Sequence, residues 1–271
     1  MPLTELQTHV LSLLAAGRSP ESYVAGGVAV NQEGPRFSGD IDIFQDSEAA
    51  LDSAAQADAH TLTTAGLNFI WRKIQTAKRE AEVGGLGDSM RLEWVHDSAF
   101  RFFPTQRHSL FGYVLHPVDL ATNKTSAAAD RREARDIVDL VTIHETILPL
   151  GAVICAAVGR FPGQSPEEML ADITRHSRFT VDEFRSLATE RPIDIPDLHR
   201  RIYTMLDSAE KFISAVPSEA IGVVFLHEGK AVQPDLAVLE HYQRCEGAVG
   251  GVWPSSHEIS SAMLERYTHD I

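Results

Sequence analysis

In "GGVAVNQEGPRFSGDIDIF", Gly26 to Phe44, paired glycines follow an apolar run, and Arg36, Ser38, Asp40 and Asp42 come further along. From Ser38 to Phe44 the residues Asp40, Ile41, Asp42 and Ile43 alternate with the period-2 pattern of a half-buried strand. Residues i and i+2 of a strand share a face, so Asp40 and Asp42 present two carboxylates side by side, while Ile41 and Ile43 anchor the other face. Adjacent carboxylates without partners repel, and a cation resolves the conflict; magnesium favours one or two carboxylates together with phosphate oxygens. Gly26 and Gly27 close a short strand at Tyr23 and Val24 and precede a short helix from Val28 to about Gln32. Backbone N–H groups there can come close to a phosphate, and Ser38 can add a hydroxyl. Alone, D-x-D also reads as a solvated strand face and GG as a turn; the ordered combination points to chemistry.

Outward from this stretch, Leu3 to Ala16 reads as a helix with Thr4 as N-cap. An Ala-rich helix follows Asp46-Ser47 to about Ala65, then a strand from Leu67 to Thr76 and a turn at Gly84 to Gly87. Met90 to His96, "MRLEWVH", alternates again and points Glu93 away from the core. If that strand lies beside the first, Glu93 completes a three-carboxylate cluster of the kind used in two-metal phosphoryl or nucleotidyl transfer. Phe111 to Leu115 suggests another strand. Pro117 suits the first turn of a helix to about Ala129, and Arg131 to Leu148 reads as a longer one. Pro149 to Gly163, rich in small residues, reads as a boundary. Beyond it the pattern is mostly helical: a helix start at Ser165, a capping box at Thr180 and Glu183, and an amphipathic helix from Pro196 to Val216. The expected architecture is α+β, with a small mixed sheet in residues 1–150 and a mostly helical domain in residues 151–271.

A net charge of −14 argues against broad, non-specific nucleic-acid binding. Residues 71–135, however, carry 11 Lys and Arg against 8 Asp and Glu, a locally basic segment that could face phosphates. Within it, Trp71-Arg72-Lys73 and Lys78-Arg79 read either as a single-stranded nucleic-acid surface or as a strand edge with solvated ends. Nothing approaches the ~18 consecutive apolar residues of a membrane span. No signal peptide is evident, and Cys155 and Cys245 form neither a disulfide framework nor a zinc pattern. A cytoplasmic protein is expected. Ligand spacing is absent among the histidines, and no serine has a G-x-S-x-G setting.

Gly26, Gly27, Arg36, Ser38, Asp40, Asp42, Ile43 and Phe44 together resemble the signature of the polymerase β-like nucleotidyltransferase superfamily. The subgroup most resembled is the AbiEii/MenT group of nucleotidyltransferase toxins from bacterial toxin–antitoxin systems. A second block, "HPVDLATNKTSAAADRREARDIVDL" from His116 to Leu140, is similar to a run in that family, with Lys124, Arg135, Asp136 and Asp139 on matching positions. The resemblance implies that Asp40 and Asp42 ligate metal, with Glu93 as third carboxylate, and that Lys124 contacts the triphosphate. It further implies that Asp136 orients Lys124 or an arginine, and that Gly26, Gly27, Arg36 and Ser38 belong to the nucleotide site. Many superfamily members have Gly-Ser where this chain has Gly26-Gly27, so phosphate contact must come from backbone N–H groups or Ser38. The implied activity is transfer of a nucleoside monophosphate from an NTP to an acceptor hydroxyl with two Mg²⁺ ions, or Mn²⁺. By resemblance the acceptor is the 3′ end of tRNA or another RNA, and a cognate antitoxin is an expected partner. Alternatives are a small-molecule or protein nucleotidyltransferase, or a non-catalytic binding protein that kept the fold.

Overall fold

The computed structural model describes residues 3–253 except 33, 161 and 162. The chain opens with α1 (Glu5–Leu14), β1 (Ser22–Ala25), α2 (Gly26–Val30), β2 (Asp40–Gln45) and α3 (Glu48–Thr64). The strands β3 (Asn68–Gln75), β4 (Lys78–Gly85), β5 (Asp88–His96), β6 (Phe100–Arg101), β7 (Gln106–His108) and β8 (Gly112–Val114) follow. The helices α4 (Pro117–Asp130), α5 (Ala134–Thr146), α6 (Leu150–Ala157), α7 (Pro166–His176), α8 (Val181–Arg185) and α9 (Ile195–Ile213) come next. The described chain ends in β9 (Val223–His227), β10 (Lys230–Val232), β11 (Gln243–Glu246) and β12 (Ala248–Val249). The α+β class expected from the sequence is what forms.

A seven-stranded mixed sheet has the order β3-β4-β5-β2-β1-β8-β7. The alternation read from β2 and β5 is realised: Ile41, Ile43, Leu92 and Trp94 are fully buried on one face. Each large side chain so buried contributes ~1.5–3 kcal/mol. That face packs on α3, where Asp58 accepts a hydrogen bond from Trp94 Nε1 at 2.7 Å and pairs with Arg18 at 2.6 Å. Pairing of β2 with β5 is parallel and sets Asp40 opposite Arg91 and Asp42 opposite Glu93. Across β1 and β2, antiparallel pairing places Ala25, just before the glycines, opposite Asp42.

Three of the differences from the sequence expectation bear on the core or the site. β4 was not anticipated, because one of its faces carries Glu80 and Glu82 and its apolar run is short; it joins β5 through a tight turn with Leu86 (φ 54°) and Gly87 (φ 79°). The presumed boundary near Pro149 holds α6, whose eight residues are all buried. Its small residues permit close packing: a Cβ on Gly151 would lie 3.0 Å from the Phe212 Cβ of α9. A helix apolar all round belongs in an interior, and α6 shares one hydrophobic core with the sheet and α9. Finally, β9 forms a three-stranded sheet with β10 and β11, from an apolar run too short for periodicity to distinguish from a helix. Among the described residues no single helix is long and apolar enough to cross a membrane.

Candidate active site

Parallel pairing brings Asp40, Asp42 and Glu93 onto one face of the sheet, opposite the face covered by α3. Their electrostatic settings differ sharply. Ser38 Oγ donates to Asp40 Oδ1 at 2.8 Å, and the guanidiniums of Arg91 (2.8 Å) and Arg135 (3.4 Å) share Asp40 Oδ2. Burial opposes ionisation of Asp40, but the hydrogen bonds from Arg91 and Ser38 and the two arginine charges outweigh it and hold the carboxyl at about 2. Glu93 is paired with Lys78 at 2.7 Å and Arg91 at 3.0 Å.

Asp42 has neither hydrogen-bond donor nor salt-bridge partner among the described residues. Burial, then the charges of Asp40 and Glu93, push its carboxyl up to about 7, with Lys124 and Lys78 only partly offsetting them. Of the two same-face carboxylates expected to lack partners, only Asp42 does among the described residues, because Arg91 and Arg135 pair with Asp40. Gly26 makes room for Asp42: the glycine has φ +69°, and a Cβ there would fall 1.8 Å from Asp42 Oδ2. Gly27 is constrained in another way, since its Cβ would lie 2.5 Å from Ser38 Oγ and 3.0 Å from an Arg36 nitrogen. The Ser38 hydroxyl therefore occupies the space a side chain at position 27 would need, which explains the missing Gly-Ser pair in physical terms.

Behind the glycines lies a second, buried cluster. Asp139 on α5 accepts a two-pronged pair from Arg36 (3.0 and 2.9 Å), a hydrogen bond from Asn31 (2.8 Å) and the ammonium of Lys124 (3.0 Å). Burial would raise the Asp139 carboxyl, but Lys124, Arg36 and Asn31 together lower it. Asn31 also donates to the Gly27 carbonyl at 3.0 Å, tying the network to the glycine turn. Asp136 is fully buried and takes a two-pronged pair from Arg131 (2.7 and 3.1 Å), with Lys124 at 3.6 Å.

The residues singled out from sequence thus fall into two groups. Gly26, Gly27, Ser38, Asp40, Asp42 and Glu93 converge. Lys124 sits between Asp136 and Asp139, and Arg36, expected at the nucleotide, is 3% exposed and committed to Asp139 and the Phe37 carbonyl. Asp139, matched in sequence but given no role, is the hub. Arg91 and Lys78 went unread as site residues, although Arg91 lies two residues before Glu93 and so must share its face. Glu80, opposite Glu93 on β4, extends the carboxylate row. Trp71 turns inward to pack on Phe69 and Trp94, so the basic residues around it do not form an aromatic stacking surface.

Among the described residues no three His, Cys, Asp or Glu side chains form a ready-made metal cage. The donor set nevertheless fits a hard divalent ion: three carboxylates from adjacent strands, one without a counter-charge.

The AbiEii family model, described as a nucleotidyl transferase toxin of type IV toxin–antitoxin systems, matches residues 12–211. No curated protein matches the sequence. Among solved structures, MenT4, a nucleotidyltransferase toxin from Mycobacterium tuberculosis H37Rv, aligns with a TM-score of 0.52 at 15% identity, over 79% of this chain and 84% of its own. A protein from H. pylori described as a candidate nucleotidyltransferase aligns at TM-score 0.46 and 14% identity, over 78% of this chain and 94% of its own. At these identities the likeness is one of fold.

Proposed function

The chain belongs to the AbiEii family of nucleotidyl transferase toxins, and from that premise we propose a metal-dependent transfer of a nucleoside monophosphate from an NTP to an acceptor hydroxyl. The acceptor is the 3′ end of a tRNA, and the transfer is the toxic act of a toxin–antitoxin pair. The observation that carries the chemistry is Asp42, a half-buried carboxylate with no salt-bridge partner among the described residues, beside Asp40 and Glu93.

Asp40, Asp42 and Glu93 would hold Mg²⁺ or Mn²⁺, which when bound supplies charge neutralisation for the triphosphate and acidifies the attacking hydroxyl. The chain's own residues do the rest. Gly26 and Gly27 make room for Asp42 and Ser38 and open α2, whose first backbone N–H groups would face phosphate oxygens. Lys124, held by Asp139 and Asp136, contributes a positioned point charge. Arg36 acts at one remove, fixing Asp139 and the glycine turn, and Ser38 aligns Asp40. The acceptor oxygen attacks the α-phosphorus in line, and its proton passes to a Glu93 oxygen. The bond from the α-phosphorus to the bridging oxygen breaks, and pyrophosphate leaves with the electron pair.

The test is to incubate the purified protein with Mg²⁺, each labelled NTP in turn and total tRNA, beside an Asp40→Ala/Asp42→Ala variant. Label entering RNA only with the intact protein supports the reading. Label on the protein itself, or on a small molecule, redirects the acceptor assignment, and no metal-dependent transfer to any acceptor sinks it.

A further inference from the structure

Arg91 stands directly opposite Asp40 and two residues before Glu93, so its side chain leaves the sheet on the face that carries both carboxylates. One terminal nitrogen lies 2.8 Å from Asp40 Oδ2, and Nε lies 3.0 Å from Glu93 Oε1. A single guanidinium therefore spans the two carboxylates that a divalent cation on this site would have to share with Asp42. Among the described residues, Arg135 and Lys78 are the other cations on Asp40 and Glu93, and none of the three pairs with Asp42.

The arginines of the site are not equivalent. Arg36 is buried with its donors on Asp139 and the Phe37 carbonyl, so it cannot leave. Arg91 keeps 44% of its side chain exposed. Its partners Asp40 and Glu93 keep only 10% and 12% exposed, so Arg91 can swing outward with little loss of packing once another cation takes over its charge on them.

We propose that Arg91 is an exchangeable counter-ion of the carboxylate site: it bridges Asp40 and Glu93 until a divalent cation takes those oxygens, and then turns to the phosphates of the nucleotide. The inference rests on the reading above that these carboxylates hold metal. The cation and the guanidinium compete for the same oxygens, so each weakens the other's hold. Once displaced, the planar fork of an arginine suits phosphate oxygens better than it suits water. Two effects of opposite sign follow. Removing Arg91 tightens metal binding when nucleotide is absent and weakens nucleotide binding when metal is present. An arginine serving only the fold would produce neither, and one serving only phosphate would produce just the second.

The experiment titrates Mn²⁺ alone into the full chain without nucleotide, following free Mn²⁺ by electron paramagnetic resonance, for wild type, Arg91→Gln, Arg91→Lys and Asp42→Asn. Arg91→Gln is expected to bind Mn²⁺ roughly three- to tenfold more tightly. In the transfer assay its KM for NTP should rise roughly tenfold with a smaller change in kcat. Arg91→Lys keeps the charge without the fork and should fall between the two on both measures. The metal-free melting temperature of Arg91→Gln should drop and recover with saturating Mn²⁺. If the Gln variant fails to fold, the Lys variant carries the same comparison. Unchanged or weaker Mn²⁺ binding in Arg91→Gln, with wild-type binding that Asp42→Asn abolishes, overturns the proposal and leaves the proposed function standing. No Mn²⁺ binding by the wild type overturns both.

Discussion

Asp42 on β2 and Asp139 on α5 are aspartates on opposite sides of the Gly26-Gly27 turn, and the chain treats them in opposite ways. Asp139 is fully buried, receives two cations and an amide, and has its carboxyl pulled down. Asp42 is half-buried, receives no donor among the described residues, and has its carboxyl pushed up to about 7 by burial and by Asp40 and Glu93. A saturated carboxylate is a fastener. An unsatisfied one, given room by the missing side chain of Gly26, is on the proposed reading a group kept for a ligand the chain does not itself supply. On the proposed function, the cluster on the sheet is the reacting side and the cluster on α5 its support.

The largest expected effect breaks the comparison on the reacting side. Asp42→Asn should lower transfer at least about a thousandfold, the several kcal/mol of charge stabilisation that a metal site supplies. Melting should show no loss of stability. If the variant instead unfolds while transfer per folded molecule persists, Asp42 is a fastener too.

Next comes the supporting side. Asp139→Ala leaves the buried Arg36 with only the Phe37 carbonyl and Lys124 with only the more distant Asp136, at a cost of about 3–5 kcal/mol in stability measured by denaturant unfolding. Activity should fall because Asn31 and Arg36 no longer fix the glycine turn. A loss well under ~1 kcal/mol would mean that this network is not the anchor its distances suggest.

A smaller effect lies in pH. The folded-state carboxyl of Asp42 sits near 7, above its ordinary range, so the folded protein holds that proton more tightly than the unfolded chain. The stability this contributes is fully present below the ordinary carboxylate range and is lost as pH rises through about 7. Metal-free Asp42→Asn should therefore melt above wild type at pH 8, by ~2–4 °C for each kcal/mol relieved. The gap should close by pH 4, and excess Mn²⁺ should reverse it by stabilising only the wild type. Parallel melting curves at both pH values would remove Asp42 as the strained group.

Much of the reacting side was legible in the sequence, because a period of two decides which face a strand residue takes without tertiary information. Asp40, Asp42 and Glu93 were placed that way, and the same rule would have placed Arg91. The pairing of β2 with β5 was not legible as a fact, since register between strands distant in sequence is fixed by packing on α3. Arg36 and Asp139 were harder still. A positively charged residue beside a D-x-D motif looks like a phosphate ligand, and only the fold shows that α5 brings a buried carboxylate to it. Reading Pro149 to Gly163 as a boundary hides α6 for a related reason: small residues mark both a break between domains and close helix packing inside one, and composition cannot tell these apart.

The smallest expected effect concerns the pair of glycines, where the reacting and supporting sides meet. Ser38 Oγ fills the space beside Gly27 and donates to Asp40, so a serine at position 27 must push the Ser38 hydroxyl aside. Gly27→Ser alone should cost about 1–3 kcal/mol by overpacking. Ser38→Ala alone should cost about 1.5–3 kcal/mol through the lost hydrogen bond to a charged group. If one hydroxyl serves one place, the double variant moves it from position 38 to position 27 and recovers part of both losses. The expected coupling is a favourable ~1 kcal/mol or more in a double-mutant cycle read in both stability and kcat/KM. Strict additivity would mean that the bare Gly26-Gly27 backbone, and not the serine beside it, is what the site needs there. The glycine turn would then belong wholly to the reacting side, with Ser38 merely a neighbour of Asp40.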